Sequence, residues 1–86
     1  MIGKKIRVEF EDHGQDLLWV VIEIGVHDHG IIKEASTLGL YAGSLIGKYV
    51  DYDTVKVGSN LAWLDFKDKC FWSIKYPIKK ITELTD

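Results

Sequence analysis

Polar and apolar residues alternate along Lys4–Glu11: Ile6, Val8 and Phe10 share one side, and Lys5, Arg7, Glu9 and Glu11 share the other. A period of two marks a half-buried β-strand, because successive side chains leave an extended backbone on opposite faces. The next apolar run, Leu17-Leu18-Trp19-Val20-Val21-Ile22-Glu23-Ile24, is rich in β-branched and aromatic residues and also predicts a strand. Both of its faces are apolar. Leu18, Val20, Ile22 and Ile24 point one way and Leu17, Trp19 and Val21 the other, so the second face requires another layer, a second copy or a partner. Turn-forming stretches at 12–16 and 25–30 flank this strand, and Ile31–Ala35 predicts a third. The first third of the chain therefore reads as an antiparallel three-strand meander.

Residues 36–50 show no clean period. Gly39, Gly43 and Gly47 recur every four residues, which would align them on one helical face. Glycine in a helix costs roughly 0.8–1 kcal/mol relative to alanine, so a loop with a short strand near Ser44-Leu45-Ile46 is expected, with a one- or two-turn helix as the alternative. Asp51-Tyr52-Asp53 reads as a turn, Thr54–Val57 as a short strand or extended approach, and Gly58-Ser59-Asn60 as its close. Leu61–Phe66 and Lys69–Tyr76 predict a hairpin around Lys67-Asp68. A loop of two or four residues there sets Trp63 opposite Trp72 and puts Leu61, Trp63, Cys70, Trp72 and Ile74 on one face; a loop of three breaks that register. Pro77 cannot donate to a ladder and marks a break or an edge, and Ile78–Leu84 is the last strand.

Six to seven short strands with turn signals between them predict an all-β fold: a small antiparallel barrel or sandwich, with one short helix or loop at 36–50. In strand number and length this layout resembles an SH3-like small barrel, a resemblance that implies a fold and carries no function with it. The 86 residues fit a single domain over 1–86, and 47% apolar with 28% charged residues is globular rather than disordered composition. A core of this size is marginal alone, which makes self-association a natural supplement.

Charge is modest and uneven. Residues 1–43 hold four Lys/Arg against seven Asp/Glu, and residues 44–86 hold seven Lys against six Asp/Glu. Neither half is basic enough to argue for nucleic acid by itself. Cys70 is the single cysteine, so no internal disulfide forms; it is expected as a small core residue in a reducing compartment. No signal-type apolar stretch follows Met1–Arg7, and Leu38–Ile46 is too short to cross a bilayer, so the expected location is cytoplasmic, with no membrane partner.

Candidate chemistry is sparse. Asp12, His13 and Asp16 share one turn and His27, Asp28 and His29 the next, and all are competent metal ligands. In a meander these turns lie at opposite ends of the sheet, about 25 Å apart for a strand of about eight residues, so turn chemistry accounts for them and no metal or cofactor is expected. Gly43–Tyr49 echoes a phosphate-binding loop, but the glycine spacing is one residue short and Tyr49 replaces the hydroxyl that would hold magnesium. The serines have no local histidine or elbow motif, so no catalytic residue is assigned.

The expected function is thus a non-enzymatic protein-interaction module (an adaptor, inhibitor or subunit) that self-associates through Leu17, Trp19 and Val21, an aromatic within an apolar patch being the usual make-up of a binding hot spot. The plainer alternative is that 36–50 folds over this face and completes the core. A second functional reading is a small β-barrel binding single-stranded nucleic acid through Phe71, Lys75, Lys79 and Lys80, since exposed aromatics beside cations stack bases and neutralise phosphate. Asp65, Asp68 and the acidic first half oppose it.

Overall fold

The computed structural model describes residues 3–11, 19–25, 30–36, 45–65, 69–74 and 76–84. These form an all-β structure of seven strands: β1 (Lys5–Phe10), β2 (Trp19–Ile24), β3 (Gly30–Ala35), β4 (Tyr49–Val50), β5 (Ala62–Asp65), β6 (Cys70–Ser73) and β7 (Ile78–Leu84). All lie in one antiparallel sheet of order β6-β5-β4-β3-β2-β1-β7. The predicted meander is β1–β2–β3. Its alternation is realised as predicted, with Ile6, Val8 and Phe10 buried on one side and Val20, Ile22 and Ile24 beside them.

The sheet is not closed into a barrel; β6 and β7 remain its edges. Its β7 side curls back as far as the segment leading into β5. There Ile78 N–H donates to the Ser59 carbonyl, and the Ile78 carbonyl accepts from Gly58 N–H, both at 2.8 Å. This curl lets one core collect Phe10, Ile22, Ile32, Leu45, Val50, Leu61, Ile74 and Ile78 from nearly the whole chain.

Two bulges shape the sheet. In β3 the register passes from Glu34 opposite Val21 to Ile32 opposite Ile22, which leaves Lys33 as the extra residue. In β7 it passes from Lys80 opposite Glu9 to Ile78 opposite Phe10, which leaves Lys79 extra. A bulge increases local twist and bends its strand, which helps a sheet wrap around a small core. Gly30 permits close approach at the other end of β3, since a Cβ there would lie 2.6 Å from Ile22 Cγ2.

The segment between β3 and β5 departs from expectation. The short strand falls at Tyr49–Val50 rather than at 44–46. Leu45 is helical in backbone and fully buried, and a turn follows it. Gly47 occupies the left-handed region (φ +86°), which favours glycine, and its N–H donates to the Ile32 carbonyl at 2.8 Å. The rest of the glycine-spaced stretch lies outside the described residues. Thr54–Val57 is not a strand: Tyr52–Thr54 is a single 3-10 turn capped by Asp51, whose Oδ1 accepts from Asp53 N–H at 3.2 Å. Thr54 Oγ1 donates to the Asp51 carbonyl at 2.7 Å and accepts from Ala62 N–H at 2.9 Å, so one hydroxyl ties this turn to β5.

The hairpin forms with the even loop. Asp65 pairs with Cys70, leaving four residues between the strands, and Trp63 faces Trp72 as the spacing predicted. Among the described residues, no helix is long and apolar enough to cross a membrane.

Candidate interaction surface

Burial along the second face of β2 is uneven. Val21 is only 4% exposed, yet it stands outside the main core cluster. In register it lies between Arg7 of β1 and Glu34 of β3. The Arg7 guanidinium lies 4.8 Å from the centroid of the Trp19 ring, and Trp19 is half-buried. The long stems of cationic side chains shield apolar surface while their heads stay polar, and a guanidinium over an indole adds roughly 0.5–1 kcal/mol when exposed. Cross-strand partners on this outer face alternate in sign: Lys5 is opposite Glu23, and Glu9 is opposite Lys80. Of the three residues expected to offer a contact, Val21 is therefore covered within the chain and Trp19 is partly covered. Leu17 lies outside the described residues.

The opposite half of the sheet behaves differently. On its outer face the register runs Ile31 to Tyr49, Tyr49 to Leu64, and Leu64 to Phe71. This places four apolar side chains in one row across β3, β4, β5 and β6. Tyr49 is 39% exposed and Phe71 59%. On the inner face the row Val50–Trp63–Trp72 starts in the core and ends in solvent, with Trp72 51% exposed. Sequence reading puts Ile31, Leu64, Phe71, Trp63 and Trp72 on strands but leaves Tyr49 and Val50 in a loop, so it misses both rows, which exist only once the two-residue strand β4 fixes how β3 and β5 align.

The row ends on β6, Cys70-Phe71-Trp72-Ser73, a strand with no charged side chain and no buried one. Ile74 N–H donates to the Leu61 carbonyl directly across the hairpin, at 2.7 Å. Hydrogen-bonded and non-bonded pairs alternate along an antiparallel ladder, so Trp72 and Cys70 bond towards β5, and the backbone N–H and C=O groups of Phe71 and Ser73 point away from it. The Asp51 N–H bond to the Ala62 carbonyl, at 2.9 Å, fixes the same parity from the β4 side. Where the ladder ends, the Asn60 side-chain amide donates to the Ile74 carbonyl at 2.9 Å.

The basic strip considered for nucleic acid is divided. Phe71 is on one edge strand, while Lys79 and Lys80 are on the other, both exposed. Lys80 stands opposite Glu9. Lys75 lies outside the described residues, as do Asp12, His13, Asp16, His27, Asp28 and His29. Among the described residues, no cluster of histidine, cysteine and carboxylate side chains could hold a metal ion. Cys70, expected in the core, is half-buried on the β6 edge. Comparison with known proteins finds no matching family model, no matching curated protein and no matching solved structure.

Proposed function

We propose that this chain is a non-enzymatic protein-interaction module that self-associates, and that its contact surface is the apolar β4–β6 side of the sheet rather than the second face of β2. The observation that carries this reading is the exposure of Phe71 and Trp72 on adjacent positions of an uncharged edge strand. Exposed aromatics grouped on one element supply large, rigid contact area, the usual material of a hot spot. Ile46 and Tyr52, on either side of β4 in sequence, and Val57 further along are also exposed. Trp19 contributes at most a rim, held beneath Arg7. The strand count that suggests an SH3-like barrel fits a sheet curled to its seam at Ile78 and left open at β6, and an opening of this kind is where a partner would add. A cytoplasmic adaptor, inhibitor or subunit suits such a surface.

Sedimentation velocity over a range of protein concentrations, at low and high salt and with a single-stranded oligonucleotide present, tests the reading. The expected result is a concentration-dependent rise above monomer mass that salt leaves intact and the oligonucleotide does not compete away. A monomer at every concentration that instead binds the oligonucleotide, with affinity falling steeply as salt rises, replaces it with the nucleic-acid reading.

A further inference from the structure

We infer that β6 pairs antiparallel with β6 of a second copy of this chain, about a two-fold axis that passes beside Trp72. The inference rests on the self-association reading above and gives it a partner, an edge and a register.

Backbone parity selects the register. The N–H and C=O groups of Phe71 and Ser73 point away from β5, which offers two donors and two acceptors along the outer side of β6. A two-fold axis at Trp72 sets Phe71 opposite Ser73 of the second copy, and Ser73 opposite Phe71 of the second copy. Each pair exchanges two hydrogen bonds, so every outward group of both strands is satisfied. Trp72 then faces Trp72 of the second copy in a non-hydrogen-bonded position, where opposing side chains come closest and aromatic pairs gain most. The inner row would run Val50–Trp63–Trp72 and on through the same three residues of the second copy in reverse.

Charge and edge chemistry select the occupant. A two-fold axis sets like residues near like, so a charged strand would repel its own copy; Cys70–Ser73 carry no charge, and the lysines on either side in sequence, Lys69 and Lys75, fall outside the paired residues. Addition of β6 to β7 of another molecule would instead propagate without limit. That route is obstructed at β7 by the Lys79 bulge, the exposed Lys79 and Lys80, and the Lys4–Glu83 ion pair. The closed two-fold pair is the arrangement that both edges permit.

Proline scanning on the full chain separates this pairing from a contact of faces. Phe71→Pro removes an outward N–H and leaves the bonds to β5 untouched, so the circular-dichroism spectrum should stay that of the native monomer while association weakens by about tenfold or more. Phe71→Ala keeps the N–H and should weaken it less. For the register, a Cys70→Ser background carrying Trp72→Cys should form a disulfide-linked dimer under mild oxidation, whereas the same background carrying Phe71→Cys should not, because that residue faces Ser73 rather than its own copy. A dimer that tolerates Phe71→Pro, loses equal affinity with Phe71→Ala, or cross-links through Phe71→Cys overturns the pairing and leaves the interaction reading standing on another surface. A monomer at all concentrations overturns both.

Discussion

The two edges of this sheet are built on opposite terms. The β7 edge carries a bulge at Lys79, two exposed lysines and an ion pair from Glu83 to Lys4 at 2.6 Å. At its start it is anchored by Ile78, which is fully buried and bonded in both directions to Gly58 and Ser59. The β6 edge has none of these devices, and its two aromatics stand more than half in solvent. Natural sheets blunt their edges with lysines, bulges and short strands to avoid unwanted pairing. The β7 edge uses the first two, and the β6 edge only shortness, at four residues. The same division runs through the apolar side chains: among the described residues, the exposed large ones (Ile46, Tyr49, Tyr52, Val57, Phe71 and Trp72) lie between positions 46 and 72, and none lies on β1, β2, β3 or β7.

The sharpest test of the contrast compares an anchor with a bare aromatic. Ile78→Ala should cost about 2–5 kcal/mol in chemical denaturation, the range for deleting a fully enclosed aliphatic side chain. Next in size, Thr54→Val should cost about 1–3 kcal/mol by the same measurement, since it leaves the Ala62 N–H without its acceptor and loosens the approach to β5. Removing the protection of β7, by deleting Lys79 and replacing Lys80 with valine, should drive assembly past a dimer, seen as a rise in light scattering with time; an unchanged mass would show that these lysines guard nothing. Trp72→Ala should lower monomer stability by only about 0.2–1 kcal/mol, the worth of its pair with Trp63, and a loss as large as that of Ile78→Ala would break the contrast. Smallest of all, Glu83→Gln removes an exposed ion pair and should shift stability by less than about 1 kcal/mol, with the remainder erased by salt.

Much of the sheet is legible in the sequence, and the reasons are local. Six residues of alternation suffice to place Ile6, Val8 and Phe10 inside, and hairpin arithmetic suffices to set Trp63 against Trp72. Strand β4 is not legible because two residues carry no period; its position follows from what Ile31 and Leu64 offer on either side. The Thr54 turn reads in the sequence as a short strand or extended approach, because a hydroxyl bridging Asp51 and Ala62 is a tertiary fact with no pattern of its own. Both bulges had a visible mark: each falls where alternation stumbles on adjacent polar residues, Lys33-Glu34 and Lys79-Lys80. On the apolar second face of β2, Val21 is covered within the chain and Trp19 partly so. That cover includes an arginine from the neighbouring strand, and counting apolar residues alone gives no weight to the methylene stem of a charged one.

The pairing of Lys5 with Leu84 has a consequence for synthesis. Strand β1 leaves the ribosome well before its neighbour β7, so during translation the meander waits with one flank bare until β7 emerges. Completion of the sheet therefore waits on β7, and it depends on a contact between strands far apart in sequence, the slow kind of closure. A chaperone that shields β1 during that interval would raise the yield of folded chains, whereas a stop codon before position 78 would leave a permanently unpaired strand.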